Sequence, residues 1–488
     1  MTGQSGQAHQ ATTGHPRWRL VLLALVLAEL AAGLETTLMF AALPAALRGS
    51  AQTVQIGWLI TGYLLVSAAA AAVCGRLGDL HGRRKVLLVM LGVATAGSVV
   101  SSVSSDLHWI VAGRAMQGLS GAVLPLCYGL LRENLPRERL PVGIGIVSAA
   151  NSFSAAAGFV IGGLIVDHGR WQNIFLCSAT LGAAGFIICL VLIPSSQTGD
   201  RWPRQDLLGG LLFSPAIALT VLGISELGRG TSDGIFGYGL LGASAVLLIL
   251  WVLHERGHPN PLIDVRLLAD RRIAAANAAS IFAGLGALQV LQVFPVLLQQ
   301  PAWTGMGFGL TATLTGLLKL PSNVASVAGA TMGGALCSRV DSRKVMVWAA
   351  LSSLGAWVFL FVDHRSLWLC VILICFSSAG FTTLFTAVIN IVIAAAPPDR
   401  TSEATAMTAT LRTIAQSIGS QIVSTLYITS VVTSKAGASY PSPAAHHLVL
   451  IYMIGASTMA VAAAWSAPVR VAARITGAHN SRYRAPKQ

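Results

Sequence analysis

Apolar runs of about twenty residues recur along the whole chain, and nothing else in it restricts the possible folds so strongly. They fall near 20–43, 54–74, 86–105, 108–131, 141–166, 171–193, 207–227, 236–253, 273–298, 309–335, 345–363, 367–396, 402–433 and 447–468. Each is about as long as the ~20 residues a helix needs to cross roughly 30 Å of hydrocarbon. Lipid offers no hydrogen-bond partner to a peptide group, so such runs must satisfy their own N–H and C=O groups and fold as helices. The first run is too long for a signal-peptide core and reads as an uncleaved helix. The expected fold is therefore an all-α integral membrane protein with fourteen transmembrane helices. A polar stretch from Pro194 to Asp206 and a basic loop from His254 to Arg272 divide it 6 + 2 + 6. This gives an N-terminal cytoplasmic tail (1–19, of which 1–16 are polar and expected to be disordered), a six-helix bundle (20–193), a linker with two additional helices (194–272), a second six-helix bundle (273–468) and a basic cytoplasmic tail (469–488).

Composition agrees with this reading and removes other classes. Hydrophobic residues make up 54% of the 488, only 10% are charged, and mean hydropathy is +0.69. The 50 glycines suit close helix packing in a membrane. A net charge of +14 could suggest nucleic acid, but its distribution argues against that partner. Of 32 Lys and Arg, five lie in the loops of one side (Arg48, Arg170, Arg229, Arg365, Lys435) and three inside apolar runs (Arg114, Lys319, Arg412). The other 24 fall in the alternate loops and tails. This positive-inside bias places both termini in the cytoplasm and the protein in the cell membrane. The seven cysteines form no C-x-x-C pair, so neither a disulfide framework nor a metal site is expected. None of the five lysines sits in a phosphate-binding loop, which leaves an ion gradient, with no cofactor, as the energy source.

Between the second and third runs lies Gly75-Arg76-Leu77-Gly78-Asp79-Leu80-His81-Gly82-Arg83-Arg84-Lys85, a charged turn punctuated by glycine. Gly334 to Val345 repeats its Gly, Leu, Arg, Lys and Val positions, with Ser338 where Asp79 stands. Such internal symmetry accompanies two bundles enclosing a midplane site. The spacing Gly-x-x-x-Asp-x-x-Gly-Arg-Arg resembles the signature loop of the major facilitator superfamily. Further stretches are similar to its 14-helix drug:proton antiporter branch. They are Leu34-Glu35-Thr36-Thr37 through Pro44 in the first run, Arg114-Ala115-Met116-Gln117-Gly118 in the fourth and Gly158-Phe159-Val160-Ile161-Gly162-Gly163 in the fifth. Trp58, Gly62-Tyr63, Trp171 and Phe175 sit at aromatic landmarks of the branch. There are departures: Glu35 stands for the usual Asp, Phe159 for the motif proline, Ser154 for a glycine, and Gln172-Asn173 for Arg-Trp. The resemblance implies a monomeric secondary transporter, not an enzyme, that exports amphipathic drug-like or antibiotic-like small molecules by alternating access in exchange for protons. A proton-coupled exporter of one endogenous metabolite or peptide is the alternative, and a membrane sensor or scaffold that has lost transport is a further one. Gly75, Asp79, Gly82, Arg83 and Arg84 are expected to form the cytoplasmic gate. Asp79 and Arg83 are expected to make contacts between the halves that hold the outward-facing state closed below. Gly158, Phe159, Gly162 and Gly163 form the antiporter motif.

Charges inside the runs carry the mechanistic expectation. A carboxyl in hydrocarbon resists ionisation and so becomes a usable proton carrier, which marks Glu29 and Glu35. Glu29 lies about 14 Å from the cytoplasmic end of the first helix and Glu35 about 12 Å from the outer end; the two point about 120° apart. Arg114, at a depth similar to Glu35, is expected to pair with it. Lys319 falls about 15 Å into the tenth run and Arg412 about 14 Å into the thirteenth. Both are expected to line the substrate cavity, with Gln117, Asn323 and Asn390 as neutral hydrogen-bonding residues. Prolines 125, 215, 295 and 321 are expected to kink their helices.

Overall fold

A computed structural model describes residues 17–48, 53–136, 138–195, 207–228, 234–258, 270–396, 401–434 and 439–468. These hold fourteen long helices: α1 (Arg17–Arg48), α2 (Thr53–His81), α3 (Arg83–Val103), α4 (Leu107–Asn134), α5 (Leu140–His168), α6 (Asn173–Leu192), α7 (Leu207–Gly228), α8 (Gly234–Gly257), α9 (Arg271–Gln299), α10 (Ala312–Arg339), α11 (Ser342–Val362), α12 (Leu367–Ala395), α13 (Thr401–Ile428) and α14 (Pro443–Ser466). Residues 1–16 and 469–488 of the tails, most of the 194–206 stretch, residues 259–269 of the basic loop and Lys435 lie outside the described residues. Among the described residues ten helices are long and apolar enough to cross a membrane. The shorter apolar stretches Gly57–Ala71 and Pro215–Ile224 lie in α2 and α7, and α10 and α13, which carry Lys319 and Arg412, do not reach that apolarity.

The expected runs and the helices agree to within about two turns at every end, and one run finishes in a strand. The thirteenth helix stops at Ile428, and Val431–Thr433 pairs antiparallel with Ser439–Pro441, Val432 opposite Tyr440. The four expected prolines sit inside helices. Pro215, Pro295 and Pro321 are internal, and Pro125 follows a 3-10 segment at Gly118–Ala122 in α4. The helix α9 is interrupted at Gly286 and Ala287–Gln289.

Only Gly82 separates α2 from α3, and its φ of 90° is a conformation that side chains rarely adopt. Short connections of this kind make successive helices antiparallel. The face carrying the α2–α3 turn is termed the near face and the opposite one the far face. Helix pairings repeat between the two sets of six. α1 packs on α5 and α6, and α3 on α4 and α6; correspondingly α9 packs on α13 and α14, and α11 on α12 and α14. Across the sets α5 meets α10 and α2 meets α13, while α7 lies against both α13 and α2.

The apolar cores divide unequally. On the far face one continuous cluster joins both sets, from Leu38, Leu43, Leu59 and Phe159 to Phe294, Leu298, Trp357 and Leu450. On the near face there are two. Val21, Leu25, Leu87, Leu126 and Leu131 belong to the first set, while Phe213, Ile273, Met346, Leu384 and Val392, joined by Ala68 of α2, form the other. The halves are thus sealed together on the far face and separated on the near face. Large apolar residues also stand outward, including Val103, Val191, Ile235 and Val362, each more than 70% exposed. A surface of that kind is stable against lipid rather than water.

Candidate functional site

The separation of the halves leaves a cavity of about 600 Å³ bounded by α5, α9, α10 and α12. Its walls are largely apolar (Ala287, Leu288, Val290, Leu291, Val327, Phe381), with polar groups from Asn151, Lys319, Asn323, Ser326, Ser378 and Thr382. Lys319 is 2% exposed, and its ammonium lies 5.8 Å from the centre of the Phe294 ring. No carboxylate among the described residues pairs with it. An ammonium held against an aromatic face keeps some of its solvation through the ring quadrupole and leaves donors for a ligand. The Nδ2 of Asn323, one turn further along α10, has no hydrogen-bond partner among the described residues. Sequence reasoning found these two. It missed Asn151, whose only signal was a lone amide among the apolar and small residues of the fifth run.

The two acids of α1 do lie on different faces, as their six-residue spacing requires. Glu29 turns toward α5, where Asn151 donates Nδ2 to its Oε1 at 2.6 Å, while Oε2 has no partner. Glu35 turns toward α3 and α4, accepting from the Ser98 hydroxyl at 3.2 Å. Gln117 donates to that same Ser98 at 2.9 Å. The expected direct pair between Arg114 and the Glu35 carboxylate is not what forms. Arg114 donates Nη1 to the backbone carbonyl of Glu35 at 3.2 Å and to Gln117 Oε1 at 2.6 Å, and Nε to the carbonyl of Leu59 at 2.8 Å. Its guanidinium lies 4.4 Å from the centre of the Tyr63 ring. Tyr63 in turn bonds Thr36 at 2.7 Å and Ser120 at 3.0 Å. Backbone carbonyls thus take the cation's donors, so the charge sits beside Glu35 without clamping its carboxylate.

Three expected cavity residues lie elsewhere. Gln117 is buried in the Glu35 network. Arg412 stacks over Phe385 at 4.2 Å, outside the cavity lining. Asn390 is exposed near the near-face end of α12, donating to the Thr386 carbonyl at 2.9 Å beside Arg272 and Asp341. Helix pitch explains the misplacement: depth along a helix was readable from sequence, but the facing direction depends on which neighbour it packs against.

A profile of the Major Facilitator Superfamily matches residues 25–420. The chain belongs to the major facilitator superfamily. The multidrug resistance protein Stp of Mycobacterium tuberculosis is 25% identical over 400 residues, 80% of this chain and 73% of that protein. The tetracenomycin C resistance and export protein of Streptomyces glaucescens is 27% identical over 358 residues, 72% of this chain and 65% of that protein. The crystal structure of the nucleoside transporter NupG superposes with a TM-score of 0.65 at 10% identity, covering 93% of this chain and 99% of that one. The first relative is thus named for multidrug resistance, the second for resistance and export, and the fold neighbour is a nucleoside transporter.

In this major facilitator protein Arg83 and Arg84 of the near-face turn hold helices of their own half. Arg83 donates to Glu133 Oε1 at 2.9 Å and to the Gly129 carbonyl at 3.1 Å, both on α4 of its own half. Arg84 donates to the Leu190 carbonyl on α6 at 2.7 Å. The contact expected between the halves belongs to the state in which the near face is closed, and here that face is open. With the near-face cores apart, the guanidinium finds its carboxylate inside its own bundle. Gly75 and Asp79 lie in the last turns of α2, and their side chains are outside the described residues.

The antiporter motif lies instead in the far-face seal. A Cβ on Gly158 would overlap Thr37 Oγ1, and one on Gly162 would stand 2.9 Å from the Ala41 Cβ, so both glycines let α5 touch α1. Gly163 faces the first turn of α10, where a Cβ would stand 2.5 Å from the Ala312 carbonyl. Phe159 is 1% exposed and stacks on Phe40 with ring centres 6.4 Å apart. Its own carbonyl lies opposite Gly316 of α10. Four residues beyond Gly163, Asp167 accepts the N–H of Ala312 at 2.9 Å and of Thr313 at 2.7 Å, capping α10 from the other half. Sequence reasoning did not single out Asp167.

Proposed function

We propose that this protein exports amphipathic small molecules, drug-like or antibiotic-like, across the cell membrane in exchange for protons. It spans the bilayer fourteen times as a 6 + 2 + 6 arrangement, residues 20–193 and 273–468 forming the bundles and 194–272 the linker. Both tails lie on the near face, which is cytoplasmic by its excess of Lys and Arg. The protein acts as a monomer, needs no cofactor, and is energised by the proton gradient.

The observation that carries this reading is the asymmetry of the cores around the cavity. One cluster seals both halves on the far face, two separate clusters leave the near face open, and the largely apolar space between them holds Lys319. Such a geometry has an obvious counterpart in which the seal forms on the other face, which is alternating access around a midplane site. Glu29 and Glu35 supply the protonatable groups, and a buried carboxyl that exchanges its proton only when one face opens couples gradient to substrate. The resistance and export relatives support a substrate that is an amphipathic antibiotic or drug. With Lys319 in the cavity and no carboxylate among the residues lining it, neutral, zwitterionic or anionic molecules fit better than dications.

Purified protein in proteoliposomes with an imposed proton gradient tests this. Uphill accumulation of an amphipathic fluorescent anion, collapsed by a protonophore, is the expected result. Accumulation that ignores the gradient, or no flux of any amphipathic compound in a broad panel, overturns it.

A further inference from the structure

We propose that Asn151 is the relay by which protonation of Glu29 withdraws a hydrogen-bond acceptor from the substrate cavity. The inference rests on the proton-coupled reading above and names the substrate group that responds to the proton.

Among the described residues Asn151 touches both partners. It belongs to the cavity lining together with Lys319, and its amide holds Glu29 Oε1 at 2.6 Å. Glu29 is 2% exposed and its second oxygen, Oε2, is buried with nothing to bond among the described residues. A buried acceptor left empty is costly unless it serves another state. The described surroundings fit that state. From α4 come Cys127 and Tyr128, from α6 Cys189; none of these is a cation, and the Tyr128 hydroxyl is engaged by Ser148 at 2.7 Å. On α2, Tyr63 sits beside Glu35; α9 carries no titratable residue from Ile273 to Gln299; and α10 brings Lys319 to the cavity.

As long as Glu29 is a carboxylate, Asn151 gives it an N–H and keeps Oδ1 available to the cavity. A proton arriving on Oε2 makes an O–H that needs an acceptor, and the amide oxygen of Asn151 is the complementary one. Acid and amide then close a paired ring, O–H to Oδ1 and Nδ2–H to Oε1, which satisfies the empty oxygen and removes Oδ1 from the cavity. A substrate donor bound to Oδ1 loses its partner at that moment. Binding therefore favours the deprotonated state and release the protonated one, the sign that export against proton entry requires. The substrate class follows: amphipathic molecules with a hydroxyl, phenol or N–H donor for Asn151, and an acceptor or acid group for Lys319.

Anilinonaphthalene sulfonate has an N–H donor and a sulfonate that stays ionised; its N-methyl derivative carries a methyl group in place of the donor hydrogen. Binding of both to the protein in nanodiscs is measured by fluorescence at acid and at mildly alkaline pH, with empty nanodiscs subtracted. Loss of one hydrogen bond should weaken the parent probe about fivefold to tenfold at acid pH, and leave the N-methyl probe unchanged. Asn151→Ala and Glu29→Gln should both abolish that pH dependence, Asn151→Gln should restore some of it, and Glu35→Gln should keep it. Wild-type pH dependence that survives in Asn151→Ala, or that the N-methyl probe shares, overturns the relay while proton-driven export in proteoliposomes still stands. A flat wild-type response overturns it too. Loss of gradient-driven export of every compound is the separate result that defeats the underlying reading.

Discussion

Removing the Asp167 carboxylate should shift the protein out of the conformation described above. Asp167 of α5 supplies two of the acceptors at the start of α10, for the N–H groups of Ala312 and Thr313, and Thr311 Oγ1 supplies a third for Leu314 at 3.2 Å. Those donors belong to the four that a helix leaves without internal partners. A carboxylate at this place stabilises both by the hydrogen bonds and by the positive end of the helix dipole. Its side chain is exposed at the rim, so a mid-range cap value of about 1 kcal/mol is appropriate for Asp167→Ala. The contact joins the two halves and exists only when the far face is closed, so its loss weakens that conformation alone. A shift of about 1 kcal/mol changes the ratio of the two conformations roughly fivefold. Hydrogen–deuterium exchange read by mass spectrometry checks this. Amides of the first turn of α10 should exchange faster in Asp167→Ala, and those at the near-face start of α3 more slowly as that face closes. Asp167→Asn keeps a neutral acceptor and should fall between. Unchanged exchange on both faces in Asp167→Ala would refute the reasoning, and faster exchange confined to α10 would reduce Asp167 to a local cap.

Other substitutions test neighbouring links of the argument. Gly163→Ala and Gly316→Ala each place a methyl about 2.5 Å from a carbonyl of the opposite half, so both should loosen the far-face seal in the same sense as Asp167→Ala, read by the same exchange measurement. Arg114→Lys should restore only some of what Arg114→Ala loses. One ammonium cannot meet the carbonyls of Leu59 and Glu35 and Gln117 in the guanidinium's fixed geometry, and each unmet acceptor costs about 1 kcal/mol in thermal stability assays. Glu35→Gln should leave passive exchange in proteoliposomes and end gradient-driven export; full uphill export in that variant would assign the proton to Glu29 alone. Lys319→Leu should lower export of an anionic amphipath about tenfold relative to a neutral one, and unchanged selectivity would remove Lys319 from substrate recognition.

Sequence alone determined the helices. A run of about twenty apolar residues has one way to satisfy its backbone in lipid, so thirteen of the fourteen runs reappear with ends shifted by only a turn or two. The exception, 402–433, ended in Val431–Thr433, where β-branched residues extend into a hairpin strand rather than continue the helix. Position along each helix follows from the sequence, because rise per residue is a local property, and Glu29, Glu35 and Lys319 are buried within their helices' packing. Direction does not follow from it. Which neighbour a helix face meets depends on packing between segments far apart in the chain, and so Arg412 faces Phe385, Asn390 faces outward and Gln117 serves Glu35 rather than the cavity. The same limit hid Asn151 and Asp167, ordinary polar residues until α5 is laid against Glu29 on one side and the start of α10 on the other. It also hid Glu133, the carboxylate that Arg83 meets within its own bundle. Which face is sealed is decided by whether apolar side chains of the two halves share a core, and only the tertiary structure states that.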